Sequence, residues 1–102
     1  MTQLAIHNPA TGAIIIQVDA DDAASVAAKA AAARAAQPAW AARPMAERVA
    51  CIQRFRAALV AEIDTLAAVT TSETGKPIRQ ARNEINGLLP RIDFFLEQVG
   101  PT

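Results

Sequence analysis

A chain of 102 residues has room for one small domain and not for two. Apolar residues make up 52% of it, but much of that is alanine and aromatics are only 4%, so any core rests on a limited set of Ile, Leu, Val, Phe and Trp side chains. Ten basic residues balance ten acidic ones, which excludes the basic excess that nucleic acid or an anionic membrane surface would demand.

The single cysteine, Cys51, has no partner for an internal disulfide, so a reducing compartment is compatible. The opening Met1-Thr2-Gln3-Leu4 carries neither the charged nor the apolar region of a secretory signal. No apolar run reaches the length of a membrane span. A soluble cytoplasmic protein is the expectation.

In chain order, Leu4–Ile6 and Ala13–Val18 flank Asn8-Pro9-Ala10-Thr11-Gly12. Asn, Pro and Gly each favour a turn, and the flanks are β-branched and apolar, so a β-hairpin over about 4–18 is expected. Strict alternation puts Ile14, Ile16 and Val18 on one face and Ile15 on the other. Such a hairpin wants cover on both faces.

Residues 21–37 read as a helix, with Asp21 and Asp22 suited to cap its start and Pro38 expected to stop it. Its middle is nearly polyalanine, with Val26 the only large apolar residue. Trp40 is expected to plug into the core near its end. Pro44 opens a second helix, about 44–63, where a missing N–H costs little. Met45, Val49, Ile52, Leu59 and Ile63 form its apolar stripe, with Arg48, Gln53, Arg54 and Arg56 largely off it.

Asp64 reads as a fresh N-cap for a short helix over 64–74, and Gly75 with Pro77 closes it. A last helix over 77–99 carries a broad stripe of Ile78, Ile85, Leu88, Leu89, Ile92, Phe95, Leu96 and Val99, with Pro90 expected to kink or divide it. The fold class is therefore mostly α with an N-terminal β-hairpin.

Little in this inventory carries chemistry. Cys51 is the only candidate thiol nucleophile, and no base is placed beside it, so it reads as a small core residue. His7 alone is not a metal site and reads as a polar residue at a strand end. Glu73, Glu84, Asp93 and Glu97 form no hydrolase-like carboxylate pair and suit a solvated helix face; Arg79, Arg82 and Arg91 suit surface or ion-pair positions. Gly12, Gly75, Gly87 and Gly100 are scattered and make no phosphate-binding loop. No catalytic and no cofactor-binding residue is assigned.

Three stretches read together carry a resemblance. Asn8-Pro9-Ala10-Thr11-Gly12 with its following Ile/Val strand, then Trp40, Pro44 and Arg48, then Glu73-Thr74-Gly75-Lys76-Pro77 with the Ala81–Ile85 run, resemble in order and spacing the opening of the aldehyde dehydrogenase superfamily. The resemblance covers nearly the whole chain but only the first part of a much longer family member.

It implies a parent of doubly wound α/β fold with an NAD(P)-binding domain, a catalytic domain and a small oligomerisation arm. Residues 1–102 would be the N-terminal part of the cofactor-binding domain. The parent would use NAD or NADP to oxidise an aldehyde, a semialdehyde among the candidates, to a carboxylic acid, and would be a homodimer or homotetramer. The family's catalytic cysteine, glutamate and asparagine match no position here.

Some relatives hold a structural Na⁺ or K⁺, and the matching ligands would be the carbonyls of Ile6 and His7 and the carboxylate of Glu73; oxygen donors of this kind suit a hard cation. The competing reading makes Glu73 a helix-end cap or ion-pair residue. Phe94, Phe95 or Leu96 would lie towards the substrate tunnel, although at least one phenylalanine is expected in the core. The chain is thus expected to be an inactive scaffold fragment that packs on the remainder of an aldehyde dehydrogenase. The alternative is a stand-alone helical module that docks on intact subunits.

Overall fold

The computed structural model describes residues 2–100. The order is β1 (Gln3–His7), β2 (Ile14–Asp19), α1 (Ala23–Ala42), α2 (Met45–Ala61), α3 (Ile63–Thr74) and α4 (Ile78–Gln98). The expected fold class holds: a mostly helical chain behind a two-stranded antiparallel hairpin.

The hairpin closes on its turn chemistry. Asn8 Oδ1 accepts from the Ala10 amide at 2.9 Å, the Asn8 carbonyl accepts from Gly12 N–H at 2.7 Å, and Gly12 takes the positive φ of 76°. The register runs from Gln3 opposite Asp19 to Ile6 opposite Ile16, then slips so that His7 faces Ile14. Ile15 is therefore an extra residue, a β-bulge, and the strict alternation expected for Ile14, Ile16 and Val18 fails at that point. All of β2 is exposed.

Helix α1 begins with a capping box. Ser25 N–H donates to Asp22 Oδ1 at 2.8 Å, and Asp22 N–H donates to Ser25 Oγ at 2.9 Å. Asp21 adds a second layer, accepting from Ser25 Oγ at 2.8 Å and from Lys29 Nζ at 2.7 Å. The helix then runs through Pro38, against expectation, and ends at Ala42. Proline in a helix interior forfeits one ladder bond, but at an exposed position water can satisfy the freed carbonyl. The stop comes instead at Pro44, whose ring disfavours helical geometry in its predecessor: Arg43 sits at φ −67° and ψ 144°.

Pro44 caps α2 with its carbonyl, which accepts from Glu47 and Arg48 N–H at 3.0 and 3.2 Å. The break between α2 and α3 lies at Glu62 (φ −110°, ψ 13°), whose N–H is shared between the Ala58 and Leu59 carbonyls. Asp64 is accordingly not the cap. It is the second residue of α3, where the helix dipole favours a carboxylate, and it accepts from Arg82 Nε at 3.0 Å. Gly75 ends α3 in the left-handed conformation as expected (φ 76°, ψ 4°). Pro90 does not divide α4, which is continuous from Ile78 to Gln98.

Packing is concentrated between α3 and α4 and, more lightly, between α2 and α4. Ala67 on α3 and Ala81 on α4, both 0% exposed, are the only buried hydrophobic residues among those described. Small side chains let helices approach closely but bury little area each. A bidentate pair ties α2 to α4: Arg56 Nε and Nη2 donate to the two Asp93 oxygens at 2.7 and 3.0 Å. Arg56 and Asp93, expected on solvated faces, therefore face each other.

The assembly is open. Its radius of gyration is 17.8 Å, against about 13 Å for a compact domain of this length. Its accessible surface is 7554 Å², whereas a compact monomer of 10.7 kDa exposes about 5,500 Å².

Candidate functional site

The cation ligands expected from the sequence are Ile6 and His7 on β1 and Glu73 near the end of α3. Turn chemistry positions the first pair. His7 Nδ1 lies 3.2 Å from the Gly12 carbonyl, folding the imidazole back over its own turn, and Asn8 N–H donates to the Ala13 carbonyl at 2.8 Å. Ile6 is half-buried and His7 exposed.

Glu73 is exposed as the next-to-last residue of α3. There Thr74 Oγ1 donates to the Thr70 carbonyl at 2.7 Å, and Gly75 N–H donates to the Thr71 carbonyl at 2.9 Å. Among the described residues the Glu73 carboxylate has no hydrogen-bond or ion-pair partner, unlike Glu84, which pairs with Lys76.

One contact brings these two regions together. A Cβ built on Gly75 would lie 3.2 Å from Pro9 Cγ, so the tip of the hairpin turn rests on the glycine that caps α3. The sequence marks Gly75 as a helix terminator and as part of the Glu73-Thr74-Gly75-Lys76-Pro77 motif. The close approach to Pro9 carries no sequence signal, because it joins positions on different elements. The helix end also presents carbonyl oxygens and the negative pole of its dipole, an environment that suits a cation.

Cys51 is half-buried on α2. No group of three or more His, Cys, Asp or Glu side chains gathers among the described residues.

Trp40 does not plug into a core. It lies within α1, is 38% exposed, and has the Arg43 guanidinium 5.9 Å from its ring centroid. With Met45, Val49, Ile52, Leu96 and Val99 it lines one end of a trough of about 260 Å³ between α2 and α4. The trough continues as an apolar groove of about 380 Å³ along Ile52, Leu88, Ile92, Phe95 and Leu96. Phe94 and Phe95 meet edge to face with ring centroids 5.3 Å apart. They are 54% and 63% exposed, so neither is in a core here. Leu96, lining both parts of the trough, is the more enclosed of the three.

The residues present do not fit a dinucleotide. A pyrophosphate is held by free amides at a glycine-rich strand-to-helix junction. Among the described residues the one strand-to-helix junction, from β2 into α1, has no glycine and is occupied by the carboxylates of Asp21 and Asp22. Hydrogen bonds from Lys29 and Ser25 hold the Asp21 carboxyl below the usual range, and the Ser25 amide does the same for Asp22. Two anions at that helix start repel a phosphate.

Comparison with known proteins gives the context of this architecture. The profile of the aldehyde dehydrogenase family matches residues 1–100. The chain belongs to the aldehyde dehydrogenase family. It is 36% identical over 94 residues to an N-succinylglutamate 5-semialdehyde dehydrogenase of Novosphingobium aromaticivorans, covering 92% of this chain and 19% of the relative. A protein of the same name from Chromobacterium violaceum is 40% identical over 96 residues, covering 94% and 20%. A 3,6-anhydro-alpha-L-galactose dehydrogenase of Streptomyces coelicolor is 34% identical over 95 residues, covering 93% and 19%.

The chain thus spans about a fifth of the length of the aldehyde dehydrogenase relatives it matches. The openness of its helices accords with the small share of the relatives' length that it spans. Among the described residues no helix is long and apolar enough to cross a membrane.

Proposed function

We propose that residues 1–102 supply the N-terminal part of the cofactor-binding domain of an NAD(P)-dependent aldehyde dehydrogenase, acting as scaffold and inactive alone. The observation that carries this reading is the family match over residues 1–100 in a chain that spans about a fifth of its relatives. The exposed trough and the all-exposed β2 support it, because both are apolar surfaces of the kind a larger fold covers.

The parent reaction would be oxidation of an aldehyde to a carboxylic acid. Two of the relatives reported above are named for a semialdehyde, which favours that substrate class for the parent. NAD or NADP would accept the hydride, held by parts of the fold other than these residues. We infer a cytoplasmic parent that assembles as a homodimer or homotetramer.

The same reading gives Ile6, His7 and Glu73 a share in a Na⁺ or K⁺ site. Two carbonyls and a carboxylate are donors a hard cation accepts, and further oxygens would have to complete the shell. Contact of Pro9 with Gly75 and the unpaired state of the Glu73 carboxylate support it. Glu73→Gln, introduced into a complete enzyme carrying this segment, is expected to flatten the dependence of thermal stability on Na⁺ or K⁺. An unchanged dependence removes Glu73 from the ligand set.

The proposal as a whole is tested with the purified chain. It is expected to give no NADH or NADPH from either oxidised cofactor with a panel of aldehydes that includes N-succinylglutamate 5-semialdehyde. Added to the Chromobacterium violaceum relative lacking its matching segment, it is expected to restore activity. Turnover by the chain alone overturns the scaffold reading, and a folded chain that never restores activity overturns the assigned place in the fold.

A further inference from the structure

We draw no further inference here: the strongest candidate, the apolar trough between α2 and α4 lined by Ile52, Leu88, Ile92, Phe95 and Leu96, faces no other described element, and nothing in the structure shows what covers it beyond the larger family fold already proposed.

Discussion

Replacing Gly75 with alanine probes a contact that joins the hairpin to the helices. Gly75 sits at φ 76° and ψ 4°, and a Cβ in the left-handed region costs an L-residue about 1–2 kcal/mol. Loss of glycine's freedom in the unfolded chain returns about 0.4–1 kcal/mol, leaving a net backbone cost on the order of 1 kcal/mol. The new Cβ would also lie 3.2 Å from Pro9 Cγ, so the proline ring must retreat by a few tenths of an ångström. Overpacking of this kind costs about 1–3 kcal/mol, and an exposed turn that can give belongs at the low end.

Gly12→Ala is the internal control. It has the same φ of 76° but nothing within 4 Å of its Cβ, so it reports the backbone cost alone. Gly75→Asn keeps the Cβ contact but relieves part of the backbone cost, since asparagine tolerates this region. Urea unfolding followed by circular dichroism gives the global effect. Amide exchange at residues 8, 12 and 75, whose N–H groups donate at 2.8, 2.7 and 2.9 Å, separates the hairpin from the helix end. Gly75→Ala is expected to cost about 2 kcal/mol, roughly twice Gly12→Ala, and to speed exchange at residues 8 and 12 as well as 75. Equal costs, with no change in hairpin exchange on altering Gly75, would refute the seating of Pro9 on α3.

Three further outcomes are expected. Ala81→Leu inserts bulk at a position that is 0% exposed, and should lower the urea midpoint by an amount equivalent to about 1–3 kcal/mol, whereas Ala30→Leu on the exposed α1 should be close to neutral. Because the folded carboxyls of Asp21 and Asp22 are depressed, mainly by Lys29 and by the Ser25 amide, their contribution is present above the ordinary carboxylate range near pH 4 and lost as pH falls through the lower folded values. A double Asn substitution should therefore lower the helicity attributable to α1 at neutral pH and flatten its acid limb; an unaltered acid limb in the circular dichroism counts against the capping account. Finally, X-ray scattering of the chain alone should give a radius near 17.8 Å with strong binding of an apolar dye, and a value near 13 Å would mean that the helices close on one another.

Much of the local structure was legible because it depends on neighbours in sequence. The hairpin follows from Asn8, Pro9 and Gly12, the capped start of α1 from Asp21 and Asp22, and the end of α3 from Gly75, each through bonds that reach only a few residues. The order of short motifs likewise carried the family. The errors fell where a local rule was overridden by its surroundings. Pro38 and Pro90 lie inside helices that continue, and it is Pro44, acting through Arg43, that ends α1.

Tertiary structure alone decided which distant groups meet. Arg56 finds Asp93 across 37 positions, Asp64 finds Arg82 across 18, and Pro9 finds Gly75. No periodicity encodes such pairs, because they depend on the angle at which separate elements cross. It also decided where apolar stripes end up. Sequence marks Trp40, Phe94 and Phe95 as residues that favour burial, but burial needs an opposing surface, and these helices offer one another mainly Ala67 and Ala81. The sequence by itself determined the elements and the family; the tertiary structure decided that, as these elements stand, their largest apolar faces remain open.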